Sequence, residues 1–357
     1  GGYDMKMTAT KTVFASKDYE GAINEAAAEI LRGGLVVFPT ETVYGLGANA
    51  FDVHAVERIF EAKGRPQDNP LIVHIADMEQ LADVAAEVTK TARILMETFW
   101  PGPISVIVKK SDKIPDTVSA GLATVAVRMP QNEIARAIIA RAGVPVAAPS
   151  ANTSGKPSPT LAMHAYEDLC GKVPLIIDGG PCSVGVESTV VDATGEVPIV
   201  LRPGDITPEM IKRAVGSVKV HKAVLSELAK DEVCASPGMK YKHYAPRANV
   251  IVFTGDKKEV AKSINIRYHI DSADSRAAVV LCMDDCTEYY HGCKTVTLGA
   301  DAKSAEAALF RVLREVDDDG YDNVYFHAQE DVMGLAVMNR IIRAAGHRIV
   351  TAKEEKV

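Results

Sequence analysis

Ala22-Ile23-Asn24-Glu25-Ala26-Ala27-Ala28-Glu29-Ile30-Leu31-Arg32-Gly33-Gly34-Leu35-Val36-Val37-Phe38-Pro39-Thr40-Glu41-Thr42-Val43-Tyr44-Gly45 is the stretch that decides the fold class. Ala22, Ile23, Ala26, Ala27, Ile30 and Leu31 recur at helical spacing, and Gly33-Gly34 stops the helix. The apolar run Leu35 to Phe38 then reads as a buried strand, and Pro39 onward as its polar exit. Working outward, the same alternation predicts a helix around Ala55 to Ala62, a strand Leu71 to Ile75 and helices across Glu79 to Phe99. Strands Ile104 to Val108 and Thr124 to Arg128, a helix Glu133 to Ala142 and strands Val146 to Ala148, Leu175 to Asp178, Thr189 to Asp192 and Ile199 to Leu201 follow. Helices alternating with apolar strands give a layered α/β unit, with hairpin-like antiparallel pairing near its end.

After a short helix, Pro208 to Val215, two prolines and a glycine mark Ala235 to Arg247 as an extended linker rather than a core element. Alternation resumes with a strand Val250 to Phe253, a helix Lys257 to Ile264 and strands Ala278 to Cys282 and Thr295 to Leu298. A helix Ser304 to Val316, a strand Asn323 to Phe326 and a helix Gly334 to Ala345 complete a smaller Rossmann-like unit with no obvious chemistry. The expected organisation is a first domain over 12–215, a connecting segment over 216–248 and a second domain over 249–350.

A chain of 357 residues suits two domains. At 47% hydrophobic and 24% charged residues it falls outside the disordered, collagenous and fibrous classes. No segment holds the run of roughly 18–20 apolar residues that a membrane span needs, and Gly1 to Ser16 lacks the apolar core of a signal peptide. A cytoplasmic protein is expected. Acidic residues outnumber basic ones, 47 to 40, for a net charge of −7, which argues against a broad electrostatic grip on nucleic acid. Any anion must therefore meet a focused site. Six scattered cysteines without a C-x-x-C pair read as reduced thiols, not as a disulfide framework or metal site.

Five stretches carry candidate chemistry. Gly45 to Ala50 matches G-x-G-x-x-A, but six polar or turn residues separate it from the strand, so a substrate-lining loop with Thr40 and Thr42 is preferred over a dinucleotide fingerprint. Lys63-Gly64-Arg65 would ordinarily cap a helix, yet with Asn69 and His74 close behind it makes a compact donor set for phosphate and carboxylate oxygens. Arg128 ends an apolar strand and needs an anionic partner, either an acidic neighbour or a substrate carboxylate. Pro149 to Ser158 is rich in hydroxyls but fails the P-loop pattern, with Ser150 in place of the first glycine and Pro157 in place of Ser or Thr. Gly179-Gly180, Ser188 and Arg202 offer close backbone approach, a hydroxyl and a further cation. Together Lys63, Arg65, Arg128 and Arg202 at successive element ends predict one concave cationic site for a polyphosphate and a small acid.

These motifs, in this order, resemble the threonylcarbamoyl-AMP synthase family in its long form. The resemblance rests on Pro39 to Gly47, Lys63-Gly64-Arg65 with Ser150-Ala151-Asn152, Gly185 to Val190, Leu201 to Gly204 and the linker's His243-Tyr244-Ala245-Pro246. It implies a YrdC-like twisted open mixed sheet with helices, then a smaller Rossmann-like α/β domain. It also implies an adenylyltransferase that makes threonylcarbamoyl-AMP and pyrophosphate from L-threonine, bicarbonate and ATP, with magnesium on the phosphates. The product would pass to a downstream tRNA threonylcarbamoyl transferase, and a weak tRNA contact is a further expectation. Carried over by position, Thr42, His74, Arg128, Ala148 and Ser188 hold threonine. Arg65, Asn69, Thr124, Ser150, Ser158, Arg202 and Ser236 hold ATP. Lys63, Arg65, Ser150 and Asn152 lie beside the reacting groups, and no protein metal ligand is implied.

The linker, with Lys240, Lys242, His243 and Arg247 and no acidic residue, is expected to close over the site. Two rival readings are weaker. An RNA-binding module conflicts with the net charge, and a hydrogenase-maturation carbamoyltransferase would bring zinc-binding cysteine pairs that this sequence lacks.

Overall fold

The computed structural model of the chain describes residues 8–240 and 242–352, so residues 1–7 of the N-terminal reading and Tyr241 of the linker lie outside the described residues. The first unit contains strands β1 (Lys11–Phe14), β2 (Val36–Phe38), β3 (Gly45–Asn49), β4 (Ile72–His74), β5 (Ala85–Glu87) and β6 (Ile104–Lys110). It continues with β7 (Thr124–Arg128), β8 (Val146–Ala147), β9 (Leu175–Asp178), β10 (Thr189–Asp192), β11 (Ile199–Arg202) and β12 (Lys219–Val220). Its helices are α1 (Tyr19–Leu31), α2 (Val53–Lys63), α3 (Leu81–Val84), α4 (Lys90–Phe99), α5 (Asp116–Ser119), α6 (Glu133–Ala142), α7 (Ala162–Leu169) and α8 (Pro208–Val215).

The strands form one mixed sheet in the order β1-β9-β2-β3-β8-β4-β7-β6-β10-β11-β12, with β5 beside β6. Both faces are covered. Side chains of α1 and α6 pack with β2, β8 and β9 on one face, and those of α2, α4, α7 and α8 fill the core on the other. Aspartate and asparagine cap α1 and α6 as their short side chains allow: Asp18 accepts from Gly21 N at 2.9 Å and Asn132 from Ile134 N at 2.9 Å. Gly64 ends α2 at φ 64°, a left-handed cap that glycine adopts without steric cost. Parallel pairing of β4 with β7 brings His74 directly opposite Arg128, so two candidate residues from distant motifs share one sheet end.

The second unit contains β13 (Asn249–Gly255), β14 (Ala278–Cys282), β15 (Thr295–Thr297), β16 (Asn323–His327) and β17 (Ile349–Ala352), with α9 (Lys257–Ala273), α10 (Ala302–Asp318) and α11 (Glu330–Ala344). Its five strands are parallel throughout in the order β15-β14-β16-β13-β17. The crossover helices divide between its faces, α10 and α11 on one and α9 on the other. This is the expected fold class, a large mixed α/β sheet followed by a smaller parallel one. Among the described residues no helix is long and apolar enough to cross a membrane.

Several expectations are corrected. Gly45 to Asn49 is strand β3, not a loop: a β-carbon on Gly47 would lie 2.5 Å from Phe38 and 2.8 Å from Val146, so glycine is what lets β3 pack between its neighbours. β5 interrupts the helical stretch Glu79 to Phe99, and α9 runs on to Ala273 rather than ending at Ile264. The linker is irregular as expected, but it is not separate from the core. Its Tyr244 is buried, its ring 5.2 Å from that of Phe310, in a core cluster that also takes in Val43 and Val186 of the first unit. Proline and glycine forbid a regular hydrogen-bond ladder there, but they do not prevent an aromatic side chain from packing.

Candidate active site

The polar exits of β2, β4, β7 and β11, the end of α2, the loop after β8 and the linker converge on one cleft of about 720 Å³, mouth included. Eleven of the predicted residues line it: Thr42, Lys63, Arg65, His74, Arg128, Ala148, Ser150, Asn152, Ser158, Ser188 and Arg202. Five basic side chains, Lys63, Arg65, Arg128, Lys156 and Arg202, face one carboxylate in the lining, Glu187. Such a wall attracts a polyanion.

Each cation is held by backbone or by one acid. Lys63, at the last turn of α2, donates to the carbonyl of Ser150, which joins the Lys63-Gly64-Arg65 and Ser150-Ala151-Asn152 motifs. Arg65 follows the Gly64 cap and donates to Asn69 O at 3.4 Å and Pro70 O at 2.8 Å. Arg202 donates to Ser188 O at 3.0 Å and Ser188 Oγ at 3.2 Å, and Ser188 Oγ lies 2.7 Å from Ser105 Oγ. Burial pushes the Lys63 ammonium well below its ordinary value, with Arg65 adding to the effect, and brings Arg65 down to about 10. Burial lowers Arg128 and Arg202 as well. A set of desolvated cations that repel one another is relieved when an anion enters.

At the other end of the cleft, Arg128 donates to the Glu41 carboxylate, to Thr42 Oγ1 at 3.0 Å and to Gly102 O at 3.2 Å. The acidic neighbour required by a buried arginine is thus Glu41, which the motif reading did not single out. Thr40 Oγ1 donates its one proton to Val43 O at 2.7 Å, so Thr42 is the donor in the 2.7 Å Thr40–Thr42 pair. Thr42 therefore gives its proton to Thr40, receives one from Arg128, and has a lone pair left for a ligand. Burial, reinforced by Arg128, brings His74 down to about 3, so its imidazole is neutral. The 3.1 Å contact to Ile72 O requires Nδ1 to carry the proton, which leaves Nε2 as an acceptor.

Three predicted residues do not line the cleft. Asn69 is buried behind Arg65, with its side-chain oxygen lacking a protein partner. Ser236 is buried too, its hydroxyl donating to Pro237 O at 3.1 Å rather than facing the cleft. Thr124 lines a smaller adjoining pocket with Pro70, Leu71, Ala235 and Pro237. In the linker, Pro237, Gly238, His243 and Tyr244 line the cleft, whereas Lys240 pairs with Asp68 at 2.8 Å and the Arg247 N–H bonds Asp317 at 2.8 Å. The closing segment thus contributes its aromatic residues, not its outer charges.

A family model described as telomere recombination, covering the Sua5, YciO and YrdC proteins, matches residues 28–204. A second, described as the threonylcarbamoyl-AMP synthase C-terminal domain, matches residues 206–346. The chain is 46% identical over 332 residues to threonylcarbamoyl-AMP synthase of Pyrococcus abyssi, covering 93% of this chain and 96% of the relative. It is 43% identical over 332 residues to threonylcarbamoyl-AMP synthase of Bacillus subtilis, covering 92% and 94%. The chain belongs to the threonylcarbamoyl-AMP synthase family. The crystal structure of P. abyssi Sua5 complexed with L-threonine superposes with a TM-score of 0.89 at 43% identity, covering 97% of this chain and all of that one. The family resembled by the motifs and the family returned by these comparisons are the same, and the chain is an adenylate-forming enzyme.

For a threonylcarbamoyl-AMP synthase, motif reading misses three kinds of residue. Glu41 is an acid inside the Thr40 to Thr42 turn, but its pairing with Arg128 crosses 87 positions and leaves no local trace. Glu187 lies between the glycine and Ser188 of a quoted motif, and accepts from Ser158 Oγ at 2.8 Å. Arg314 and Arg340 come from the second unit. Arg340 lies in a run of α11 from Ala336 to Ala344 that the structure buries on every side, a setting that no motif marks.

Proposed function

We propose that this chain condenses L-threonine with bicarbonate to a carbamate, which then attacks the α-phosphate of ATP to give threonylcarbamoyl-AMP and release pyrophosphate. The observation that carries the reading is the convergence of five basic side chains with a neutral imidazole and an Arg128–Thr42 pair in one cleft. Threonine occupies the end formed by Thr42, His74, Arg128, Ala148 and Ser188. Its carboxylate meets Arg128, and His74 Nε2 accepts from its hydroxyl or amino group. ATP occupies the end formed by Arg65, Ser150, Ser158 and Arg202. Its adenine enters the adjoining pocket at Thr124, whose walls of Pro70, Leu71, Ala235 and Pro237 suit a planar ring. Asn69 and Ser236 act from behind this surface, Asn69 through its carbonyl on Arg65.

Carbamate and triphosphate are both anions, so their approach is opposed until cations intervene. Lys63, Arg65 and Arg202 offset that repulsion and stabilise charge on the transferring phosphoryl group. Asn152, held by its amide to Thr153 O at 2.9 Å and Lys156 O at 3.1 Å, keeps a free side-chain oxygen beside Ser150. It supports the reacting carbamate. The lining supplies one carboxylate, Glu187, already engaged by Ser158 and Arg340, so the residues do not fit a protein-held magnesium ion. Magnesium enters as the counter-ion of its substrate, MgATP.

The adenylate is labile to water, and the linker's His243 and Tyr244 shield it. Delivery to a downstream tRNA threonylcarbamoyl transferase, a weak tRNA contact and a cytoplasmic setting complete the proposal, the last supported by six free cysteines. Pyrophosphate release by the purified chain tests it. Release should require ATP, threonine and bicarbonate together and collapse in Lys63→Ala and Arg65→Ala. Release without threonine, or unaltered in both variants, would contradict it.

A further inference from the structure

Two buried arginines of the second unit reach across to the nucleotide end of the cleft. A buried guanidinium must be matched by acceptors, and apart from Asn339 of α11 itself the acceptors here are first-unit site loops or Asp168, which supports one of them. Arg340, in α11, is completely buried. It donates to Glu187 Oε1 at 3.1 Å, Glu187 O at 2.9 Å, Pro203 O at 2.6 Å and Asn339 Oδ1 at 2.8 Å. Arg314, in α10, forms a two-pronged pair with Asp168 at 3.0 and 2.9 Å and donates to Pro157 O at 2.7 Å. Asp168 in turn accepts from Thr153 N at 2.9 Å, which fixes the loop on its other side.

Ser158 lies where these two anchors meet. Arg314 holds the carbonyl that precedes it, and Arg340 holds the carboxylate to which its hydroxyl donates at 2.8 Å. Burial alone would raise the Glu187 carboxyl, but Arg340 and Arg202 outweigh it and hold the group below its ordinary value. An ionised Glu187 can only accept, so the single hydroxyl proton of Ser158 is committed to it. What Ser158 turns toward the cleft is a pair of lone pairs. A phosphate oxygen, having no proton to offer, gains nothing there; a hydroxyl or amino group does.

We propose that Arg340 and Arg314 are positioning residues through which the second domain fixes Ser158 as a hydrogen-bond acceptor for a donor group on the nucleoside half of ATP, rather than for its triphosphate. The inference rests on the synthase reading above. It gives the second domain a part in nucleotide recognition that its own sequence does not suggest.

The test is steady-state pyrophosphate release by the full chain and by Arg340→Gln, Arg340→Lys, Arg314→Gln and the double variant Glu187→Gln/Arg340→Gln, with thermal melting of each. Losing a charge-assisted hydrogen bond at this point should raise KM for ATP by on the order of tenfold in Arg340→Gln and leave KM for threonine within about twofold. Arg314→Gln should shift the same constant in the same direction. Arg340→Lys restores charge but not the fork that spans Glu187 and Pro203, so it should recover only part of the loss. In Arg340→Gln, Glu187 loses its principal cation, and KM for ATP should become pH-dependent where the carboxyl titrates. The double variant leaves no unpaired carboxylate, so it keeps the measurement open if Arg340→Gln alone fails to fold, and it should still show the raised KM for ATP. A folded double variant with wild-type KM for ATP overturns the proposal. So does a parallel change in both KM values, or a fall in kcat that simply follows the loss of folded protein. A wild-type chain with no threonine-dependent release defeats the synthase reading itself, and this inference with it.

Discussion

Replacing Glu41 by glutamine should tighten threonine binding while weakening the fold. Glu41 clamps Arg128 with one carboxylate oxygen and takes the Gln131 N–H at 2.9 Å with the other, and both members of the pair are buried. In the unliganded enzyme Arg128 is therefore already neutralised, and a substrate carboxylate must share it. Glu41→Gln keeps the shape and removes the competing charge. With a ligand carboxylate roughly 7 Å from Glu41 and an effective dielectric of about 20, the relieved repulsion is roughly 2 kcal/mol, or about 30-fold in affinity. The same change leaves Arg128 without a counter-ion in the free enzyme, which should cost about 3 kcal/mol of stability. Threonine then supplies the missing anion, so its stabilising effect on the melting temperature should exceed that in the wild type. Calorimetric titration with threonine, beside melting curves with and without it, measures both terms. A folded Glu41→Gln protein that binds threonine no more tightly than the wild type would refute the placement of the carboxylate on Arg128.

Burial brings His74 and His243 down to about 3 and His327 down to about 4, so the unfolded chain, with histidines near 6.5, binds more protons and stability falls as pH drops below 6.5. Each costs roughly 1.4 kcal/mol by pH 5.5, about 4 kcal/mol for the three together. Glu306, raised to about 8 by burial and the neighbouring Asp205, acts in the opposite sense, so the loss should be unmasked in Glu306→Gln. Urea unfolding of that variant at pH 7.5 and 5.5 reads it, and unchanged stability would count against neutral buried histidines. Gly185 has φ 96°, and a β-carbon there would lie 2.6 Å from the α10 backbone at Ala307. Gly185→Ala should therefore destabilise the contact between the units by more than about 1 kcal/mol, seen as a lower unfolding midpoint; an unaltered midpoint would show that this packing is dispensable.

The alternation of helix and strand was legible wherever apolar periodicity was strong, as in α1, β6 and α6. It failed where packing overrode local preference. β3, Gly45–Asn49, has no β-branched residue and reads as a turn, yet its small residues are what Phe38 and Val146 require of a strand packed against them. The site was legible as a set of cations at element ends because burying charge there is expensive without a function. Its anions were not. Glu41 and Glu187 pair with arginines 87 and 153 residues away, which leaves no local pattern to read. The linker's prolines announced irregular backbone, but gave no sign that Tyr244 packs into a core from within it. Arg314 and Arg340 look like ordinary helix-surface charges until the structure shows both of them buried.

The most direct measurement of the central claim uses ¹³C-labelled bicarbonate. The purified chain, incubated with MgATP and L-threonine, is quenched rapidly and its adenylate analysed by mass spectrometry. The account predicts a threonine-containing adenylate that carries one labelled carbon and forms with stoichiometric pyrophosphate. An adenylate without the label, meaning threonine joined directly to AMP, or no adenylate despite ATP turnover, would contradict it.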